Sequence, residues 1–166
     1  MFHCFNGHTL RQSVYISFPS PSSSLFRNIL FQLTFLYGLA LSANHEASTL
    51  FTWLRSSSSA SPPPTPPFSN WNLLNPNPCN WTSITCSSLG LVTEITILSI
   101  PLELPIPSNL SSFHSLQKLV ISDASLTGTI PSDIGDCCSL TVIDLSSNNF
   151  VGSIPASIRK LHNLQN

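Results

Sequence analysis

Residues 140–155 read "LTVIDLSSNNFVGSIP", and the same arrangement of apolar residues occurs twice earlier in the chain. Proline follows isoleucine at intervals of 24 residues, at Pro107, Pro131 and Pro155. Alignment on these prolines gives three copies, 92–115, 116–139 and 140–163, and Leu164 begins a fourth. A fixed period of this length, with apolar residues at the same positions in every copy, predicts a repeat solenoid.

Each copy contains a short segment in which apolar and polar residues alternate. In the second copy, Leu119 and Ile121 alternate with Lys118, Val120 and Ser122. A period of two predicts a β-strand with one face in the core and the other face toward solvent. Stacked copies would then pair their strands into a short parallel sheet, and the rest of each coil would return behind it.

The residues after each predicted strand indicate how the coil turns. Asn148, at position nine of the third copy, is expected to point its amide inward and bond backbone groups of the coil. Gly152 permits a tight turn, and the Ile-Pro pairs set an extended segment. The first copy has Ile100 and Leu104 at the positions of the asparagine and the glycine, so its turn is expected to differ.

The pattern L-x-x-L-x-L-x-x-N-x-L-x-G-x-I-P is that of the plant-type leucine-rich repeat, and the third copy matches it almost completely. Residues 44–166 resemble the N-terminal ectodomain of class XI leucine-rich-repeat receptor kinases, in particular the receptors for root meristem growth factor peptides. The segments "LQKLVIS" (116–122) and "SLTVIDLSSN" (139–148) are the most specific parts of this resemblance. It implies an α/β leucine-rich-repeat solenoid with a short parallel β-sheet and an N-terminal helical, disulfide-bonded cap.

The resemblance also implies a function. In that family many coils precede a membrane helix and a Ser/Thr kinase, and a secreted peptide and a co-receptor bind the full-length protein. The peptide contacts lie on later coils that include an Arg-x-Gly-Gly element, which this chain lacks. The chain is therefore expected to be a ligand-recognition scaffold without chemistry of its own, whose fourth repeat looks cut short. A stand-alone secreted interaction or inhibitor protein is the alternative.

The segment "SNWNLLNPNPCNWTSITC" (69–86) resembles the N-terminal cap of these receptors. The resemblance implies a disulfide between Cys79 and Cys86, with Trp81 between them as a structural residue. A zinc site is the competing interpretation of this cysteine pair, but the sequence has no second Cys or His pair at suitable spacing. Cys137 occupies a buried repeat position and is interpreted as a small core hydrophobe.

A short amphipathic helix is predicted upstream, over 47–56, because Leu50, Trp53 and Leu54 have i, i+3, i+4 spacing. Asn44 or Ser42 is expected to cap its start, and Glu46 suits the positive end of its dipole. The Ser/Pro tract 56–70 that follows is expected to be a loop that buries no core. Together these elements define a predicted cap domain at 44–91, followed by the repeats at 92–166.

The first 43 residues are interpreted as an N-terminal extension plus a signal peptide. Residues 29–43 form an apolar run behind Arg27 that ends in small residues, so cleavage is expected near Ser42 or Ala43. The run is shorter than the roughly 20 residues of a spanning helix. The residues before Leu25 make an unusually long leader, and a retained signal anchor is the alternative interpretation.

Entry into the secretory pathway would place the chain outside the cell, either secreted or, in a full-length receptor, at the outer face of the plasma membrane. Two sequons, Asn80-Trp81-Thr82 and Asn109-Leu110-Ser111, then become candidate glycosylation sites at Asn80 and Asn109. The predicted ligand surface is the concave face of the sheet, where the candidate residues are Lys118, Val120, Ser122, Asp123, Val142, Asp144 and Ser146.

Composition argues against several other functions. The chain has six Lys and Arg against seven Asp and Glu, and this low charge argues against nucleic-acid binding. The five histidines form no recognisable nucleophile–base arrangement, and kinase and phosphate-loop motifs are absent. Asp123 and Asp144 are interpreted as a solvated polar surface in preference to a catalytic carboxylate pair. No catalytic residue, cofactor or metal is predicted.

Overall fold

Residues that are 24 apart in the sequence pair with each other in a parallel sheet. The computed structural model describes residues 24–56, 67–74 and 77–165. Its four strands form one sheet in chain order: β1 (Ile84–Cys86), β2 (Val92–Leu98), β3 (Lys118–Ser122) and β4 (Val142–Asp144). Strands β2, β3 and β4 are parallel, and Ile95 pairs with Leu119, which pairs with Ile143. The predicted solenoid with a short parallel sheet is confirmed.

The core lies directly behind this sheet, where the apolar repeat positions stack from coil to coil. Ile95, Ile97, Leu119 and Ile121 are completely buried. The convex side carries 3-10 helices at Leu110–Ser112, Ser132–Asp136 and Ala156–Lys160. The last two pack so closely that a Cβ on Gly135 would overlap the backbone of Ser157. Neighbouring coils therefore bury the apolar surface that a single coil would leave exposed.

The repeated prolines act at the start of the convex segment. Pro131 and Pro155 have extended backbones, with φ of −73° and −65°, and each immediately precedes a 3-10 helix. A ring-fixed φ and the missing amide suit this position. Pro107 is buried, and the helix of its coil begins later, after Asn109.

The first coil turns differently, as its unusual residues predict. In the second and third coils the left-handed backbone lies at Gly128 and Gly152, with φ of 74° and 81°. In the first coil, Glu103 has φ of 55°, while Leu104, which stands at the glycine position, is 2% exposed. The chain thus makes its turn one residue earlier and uses Leu104 to fill the core.

The N-terminal helix is longer than the sequence pattern predicts. A single α-helix, α1, runs from Ser24 to Leu54 and includes the apolar run 29–43. The prediction that a helix starts near Ser42 or Asn44 was wrong, because the apolar run contains no proline and continues in helical geometry into the cap. Glu46 is consequently in the body of α1, away from its N-terminus.

The two parts of α1 differ in their environment. Leu50 and Trp53 are buried in the core of the cap, as their spacing predicts, and Leu54, the third residue of that pattern, is half-buried; Ala47 is buried as well. In the earlier part, Phe31 and Tyr37 are 74% and 69% exposed. Across the described residues, no helix combines the length and the hydrophobicity needed to cross a membrane.

The cap closes the first coil with a strand and an aromatic cluster. Strand β1 pairs antiparallel with β2, a hairpin that the repeat pattern did not indicate. Phe68 packs edge-on against Trp71, whose ring stacks on Trp81 at a centroid distance of 5.1 Å. All three rings are buried. The prediction that the Ser/Pro tract buries no core was therefore wrong at Phe68, while residues 57–66 of the tract lie outside the described residues.

Covalent and polar contacts complete the cap. Cys79 and Cys86 form the predicted disulfide, with Cα atoms 5.4 Å apart. Trp71 Nε1 donates to the carbonyl of Thr82 at 2.9 Å, and the Asn70 side chain accepts from the amide and hydroxyl of Thr82. The segment between the cysteines is thus held from three sides.

Candidate functional site

The concave face of the sheet is built by the outward-facing residues of β2, β3 and β4. The register places Glu94 beside Lys118 and Lys118 beside Val142, and it places Thr96, Val120 and Asp144 in a second row. Adjacent strands in a sheet lie about 4.8 Å apart, so each row is a closely spaced line of side chains. Six of the seven predicted concave residues are partly or fully exposed: Lys118, Ser122, Asp123, Val142, Asp144 and Ser146.

Val120 is the exception, because it is only 8% exposed. It lies on the middle strand, where Thr96 and Asp144 flank it on either side. A β-branched side chain enclosed by the side chains of the two adjacent strands loses its contact with water even on the outer face. Val120 therefore packs the sheet surface, and its prediction as a ligand-reading residue is not supported.

Charge on the concave face is mixed. The ammonium of Lys118 lies 4.0 Å from a carboxylate oxygen of Glu94, and both side chains are about 40% exposed. An exposed ion pair at this distance contributes little to stability, because water and salt screen it. Both groups are consequently available to an incoming ligand.

The Asp144 carboxylate is hydrogen-bonded within the turn that follows its own strand. Its Oδ1 accepts a hydrogen bond of 3.0 Å from the amide of Ser146. The hydroxyl and the amide of Ser146 together hold the pKa of Asp144 below its usual value. Asp144 lies in register with Val120, whereas Asp123 follows the end of its strand. The pair is therefore not aligned as neighbours in the sheet, which agrees with a solvated polar surface.

A column of left-handed residues borders the concave face, and sequence reasoning missed it. Ser99, Asp123 and Ser147 stand at position eight of successive coils, with φ of 53°, 52° and 56°. Ser and Asp tolerate this backbone better than β-branched residues do. Their shared position, each time a short polar residue after the strand, is the signal that would have identified them.

The Asn148 amide joins the second and third coils behind the sheet. Its Oδ1 accepts from the amides of Ala124 and Leu126 at 3.2 and 2.9 Å. Its Nδ2 donates to the carbonyl of Ile121 at 2.7 Å and to those of Leu145 and Ser146 at 3.0 Å. One side chain thus contacts five backbone groups that the strands leave behind, and because Nδ2 carries two hydrogens, two of the three carbonyls share one of them.

The cap contributes a buried ionisable group, Glu46, which the sequence pattern had assigned to the start of a helix. Glu46 is 1% exposed, and its Oε2 accepts a hydrogen bond of 3.0 Å from the amide of Val92, the first residue of β2. Burial raises the pKa of the Glu46 carboxyl to about 7, although the bond from Val92 acts in the opposite direction. Glu46 therefore couples α1 to the first coil.

The two sequon asparagines, Asn80 and Asn109, are both exposed. Asn80 ends the 3-10 helix Pro78–Asn80 of the cap, and Asn109 has a left-handed backbone with φ of 67° before Leu110–Ser112. Cys137 is a free thiol that is 2% exposed. Burial and the nearby Asp133 and Asp136 raise its pKa to about 12, which leaves it unreactive.

The part of the chain that the structure describes offers no metal-binding geometry. No group of three or more His, Cys, Asp or Glu side chains lies close enough there to hold an ion.

Comparison with known proteins agrees with this architecture. Residues 43–87 match the leucine rich repeat N-terminal domain, and residues 115–137 and 139–161 each match a leucine rich repeat. The Arabidopsis thaliana LRR receptor-like serine/threonine-protein kinases RGI1 and RGI2 are 56% identical over 90 residues and 50% identical over 98 residues. These matches cover 52% and 58% of this chain but only 7% and 8% of the two relatives.

A solved structure with similar geometry is the ectodomain of the Arabidopsis receptor kinase HAESA in complex with an N-terminal extended IDA peptide hormone ligand. It superposes with a TM-score of 0.56 at 30% identity and covers 74% of this chain and 20% of that chain. Fold, repeat and cap define a plant-type leucine-rich-repeat protein. The chain belongs to the leucine-rich-repeat family, and over the matched residues it is similar to plant LRR receptor-like serine/threonine-protein kinases.

Proposed function

We propose that this chain is the N-terminal part of the ligand-recognition region of a peptide-hormone-sensing receptor kinase. The observation that carries the proposal is the parallel sheet, whose 24-residue register lines up exposed side chains along a concave face. Solenoids bind extended ligands on such faces. The HAESA ectodomain, which has the same architecture, was solved with a peptide hormone ligand.

The polar residues of the described coils define what this part of the surface recognises. Lys118 and Glu94 offer opposite charges within one row, and Ser122 and Ser146 offer hydroxyl groups at the strand ends. Such a surface suits a polar peptide in extended form. The three coils form a small area, so further coils of a longer protein and a co-receptor supply the rest of the binding energy.

The cap and the leader support secretion and an extracellular location. A disulfide between Cys79 and Cys86 is typical of an oxidising compartment. The exposed apolar half of α1 suits a signal peptide that is removed near Ser42 or Ala43. In the mature protein, Asn80 and Asn109 then carry N-linked glycans on their exposed side chains.

Sequencing of the complete transcript is the first test. We expect an open reading frame that continues beyond Asn166 with more coils, a membrane helix and a Ser/Thr kinase. A stop codon shortly after a Cys-containing terminal cap would instead support a stand-alone secreted interaction or inhibitor protein.

Peptide binding by the complete ectodomain is the second test, measured by calorimetry with secreted peptide hormones. Lys118→Glu reverses a concave charge, and Lys160→Glu reverses a charge on the convex side as the matched control. We expect Lys118→Glu to change affinity or its salt dependence and Lys160→Glu to leave both unchanged. Equal effects of the two variants would contradict a concave binding surface.

A further inference from the structure

A groove of about 720 Å³ separates the C-terminal half of α1 from the flank of the first two coils. One wall consists of helix residues that include Ser48, Thr49 and Thr52, and the other includes Ser108, Asn109 and Thr129. Trp53 Nε1 donates a hydrogen bond of 2.7 Å to the carbonyl of Pro105, and because both residues belong to the lining, this bond joins the two walls.

The lining has a consistent chemical character. Among the described residues that form it, none is Asp, Glu, Lys or Arg, and His45 is the only titratable side chain. Hydroxyl groups of Ser and Thr lie on both walls, Asn109 contributes the one side-chain amide of the lining, and apolar surface, to which Ile106 and Pro131 contribute, makes up the larger part of it. A neutral ligand with many hydroxyl groups and apolar C–H faces fits such a lining, because each hydroxyl finds a partner without the desolvation of a charge. This is the chemistry of a saccharide.

The candidate glycosylation site Asn109 is itself part of this lining. It is exposed, and its left-handed backbone sets it at the start of the 3-10 helix Leu110–Ser112, outside the core. A sugar attached at this residue needs no independent affinity, since its attachment keeps the local concentration high. Weak contacts with Thr49, Thr52 and Thr129 are then sufficient to keep it in place.

We propose that an N-linked glycan on Asn109 occupies this groove and clamps the cap helix to the first two coils. The inference rests on the proposed secretion and modification of the chain. Asn80 provides the contrast, because it is exposed on the 3-10 helix of the cap and is not among the residues that line the groove. The glycan of Asn109 is therefore a structural part of the cap, whereas that of Asn80 covers surface.

The test uses the full chain expressed through a glycosylating secretory pathway, with peptide mass spectrometry to measure occupancy at both asparagines. Amide hydrogen exchange over residues 47–56 is then compared among three glycosylation-competent proteins: the original sequence, the Asn109→Asp variant and the control variant Asn80→Asp. Aspartate keeps the size of the side chain and tolerates the left-handed backbone. We expect Asn109→Asp to speed exchange in the helix about tenfold and Asn80→Asp to leave it unchanged.

A second variant blocks the groove and leaves the sequon intact. Thr52→Arg places a long charged side chain at an exposed position of the helix wall. We expect this variant to retain occupancy at Asn109, to exchange as fast as Asn109→Asp, and to show no additional change when the two substitutions are combined. Additive effects of the two substitutions would overturn the proposal.

The remaining outcomes are also decisive. Full occupancy at Asn109 with unchanged exchange in Asn109→Asp would overturn the clamp, as would occupation of the groove by the Ser/Pro tract that follows Ser56. Absence of a glycan at Asn109 would overturn it as well. None of these three results bears on peptide recognition, which the concave-face variants test separately.

Discussion

The Asn148 side chain donates a hydrogen bond of 2.7 Å to the carbonyl of Ile121, a residue of the preceding coil. Because the same side chain also accepts from two amides of that coil, its loss leaves several buried backbone groups without partners. Each such group costs about 1–3 kcal/mol. The asparagine therefore connects the stability of one coil to that of its neighbour.

Replacement of Asn148 tests this connection. We expect Asn148→Ala to lower the free energy of unfolding by about 2–4 kcal/mol, measured by urea denaturation of the secreted chain. The adjacent Asn149 is exposed, so Asn149→Ala is the matched control and should change stability by less than about 0.5 kcal/mol. Equal destabilisation by both variants would contradict the role of the Asn148 amide.

The disulfide of the cap gives a second prediction. Combined replacement of Cys79 and Cys86 by serine should lower the free energy of unfolding by about 2.5 kcal/mol, since the bond closes a short loop. A reducing agent should destabilise the original chain by a similar amount and have no further effect on the double variant at this site. Unchanged stability in the double variant would show that the aromatic cluster alone holds the segment.

Stability should also depend on pH through Glu46. Burial raises the pKa of this carboxyl to about 7 from an ordinary value of 4.5, so the folded chain binds more protons than the unfolded chain between these values. The contribution of Glu46 to the free energy of unfolding is therefore fully present below about pH 4.5 and is lost as the pH rises through 7. The expected loss is on the order of 3 kcal/mol, at about 1.4 kcal/mol per pKa unit.

Denaturation curves across this pH range can isolate the effect. Glu46→Gln keeps an acceptor for the Val92 amide but cannot ionise, so it should flatten the pH dependence between pH 5 and 7. Glu103 is exposed, and Glu103→Gln should reproduce the original profile. If the stability of Glu46→Gln still falls as the pH rises toward 7, another group causes the pH dependence.

The left-handed column predicts a gain in stability. Ser147 has φ of 56°, a conformation that costs L-residues about 1 kcal/mol and that glycine adopts freely. Ser147→Gly should therefore raise the urea midpoint or leave it unchanged, whereas Ser147→Val should lower it clearly. The neighbouring Ser146 does not have a positive φ, so a glycine there relieves no strain and Ser146→Gly should lower the free energy of unfolding.

Much of the repeat region was predictable because every coil of a solenoid has the same local strand-and-turn structure. The alternation around Leu119 and the 24-residue spacing were sufficient to predict β3, its parallel neighbours and the inward position of Asn148. The burial of Val120 was not predictable in the same way. Alternation assigns a residue to a face, but its exposure depends on which side chains flank it on the adjacent strands.

The cap shows the limit of local patterns more clearly. A periodic apolar face predicted the burial of Leu50 and Trp53, but the continuity of α1 from Ser24 was not evident from spacing. Phe68 lies at the end of a Ser/Pro tract that carries no periodicity, and it is buried because a local turn places it against Trp71, whose ring in turn stacks on Trp81 ten residues further along the chain. Contacts of this kind join residues whose separation in sequence follows no rule.

The amino-acid sequence by itself determined the repeat, its register and the inward asparagine, because each depends on spacing along the chain, whereas the cysteine pair of the cap was implied by the resemblance of residues 69–86 to receptor caps. Only the tertiary structure decided that Glu46 binds the first amide of β2, that Val120 is enclosed, and that a neutral groove passes beside Asn109. These features arise where the helix meets the coils or where one strand meets the next. They depend on distances across the fold, which no periodic pattern encodes.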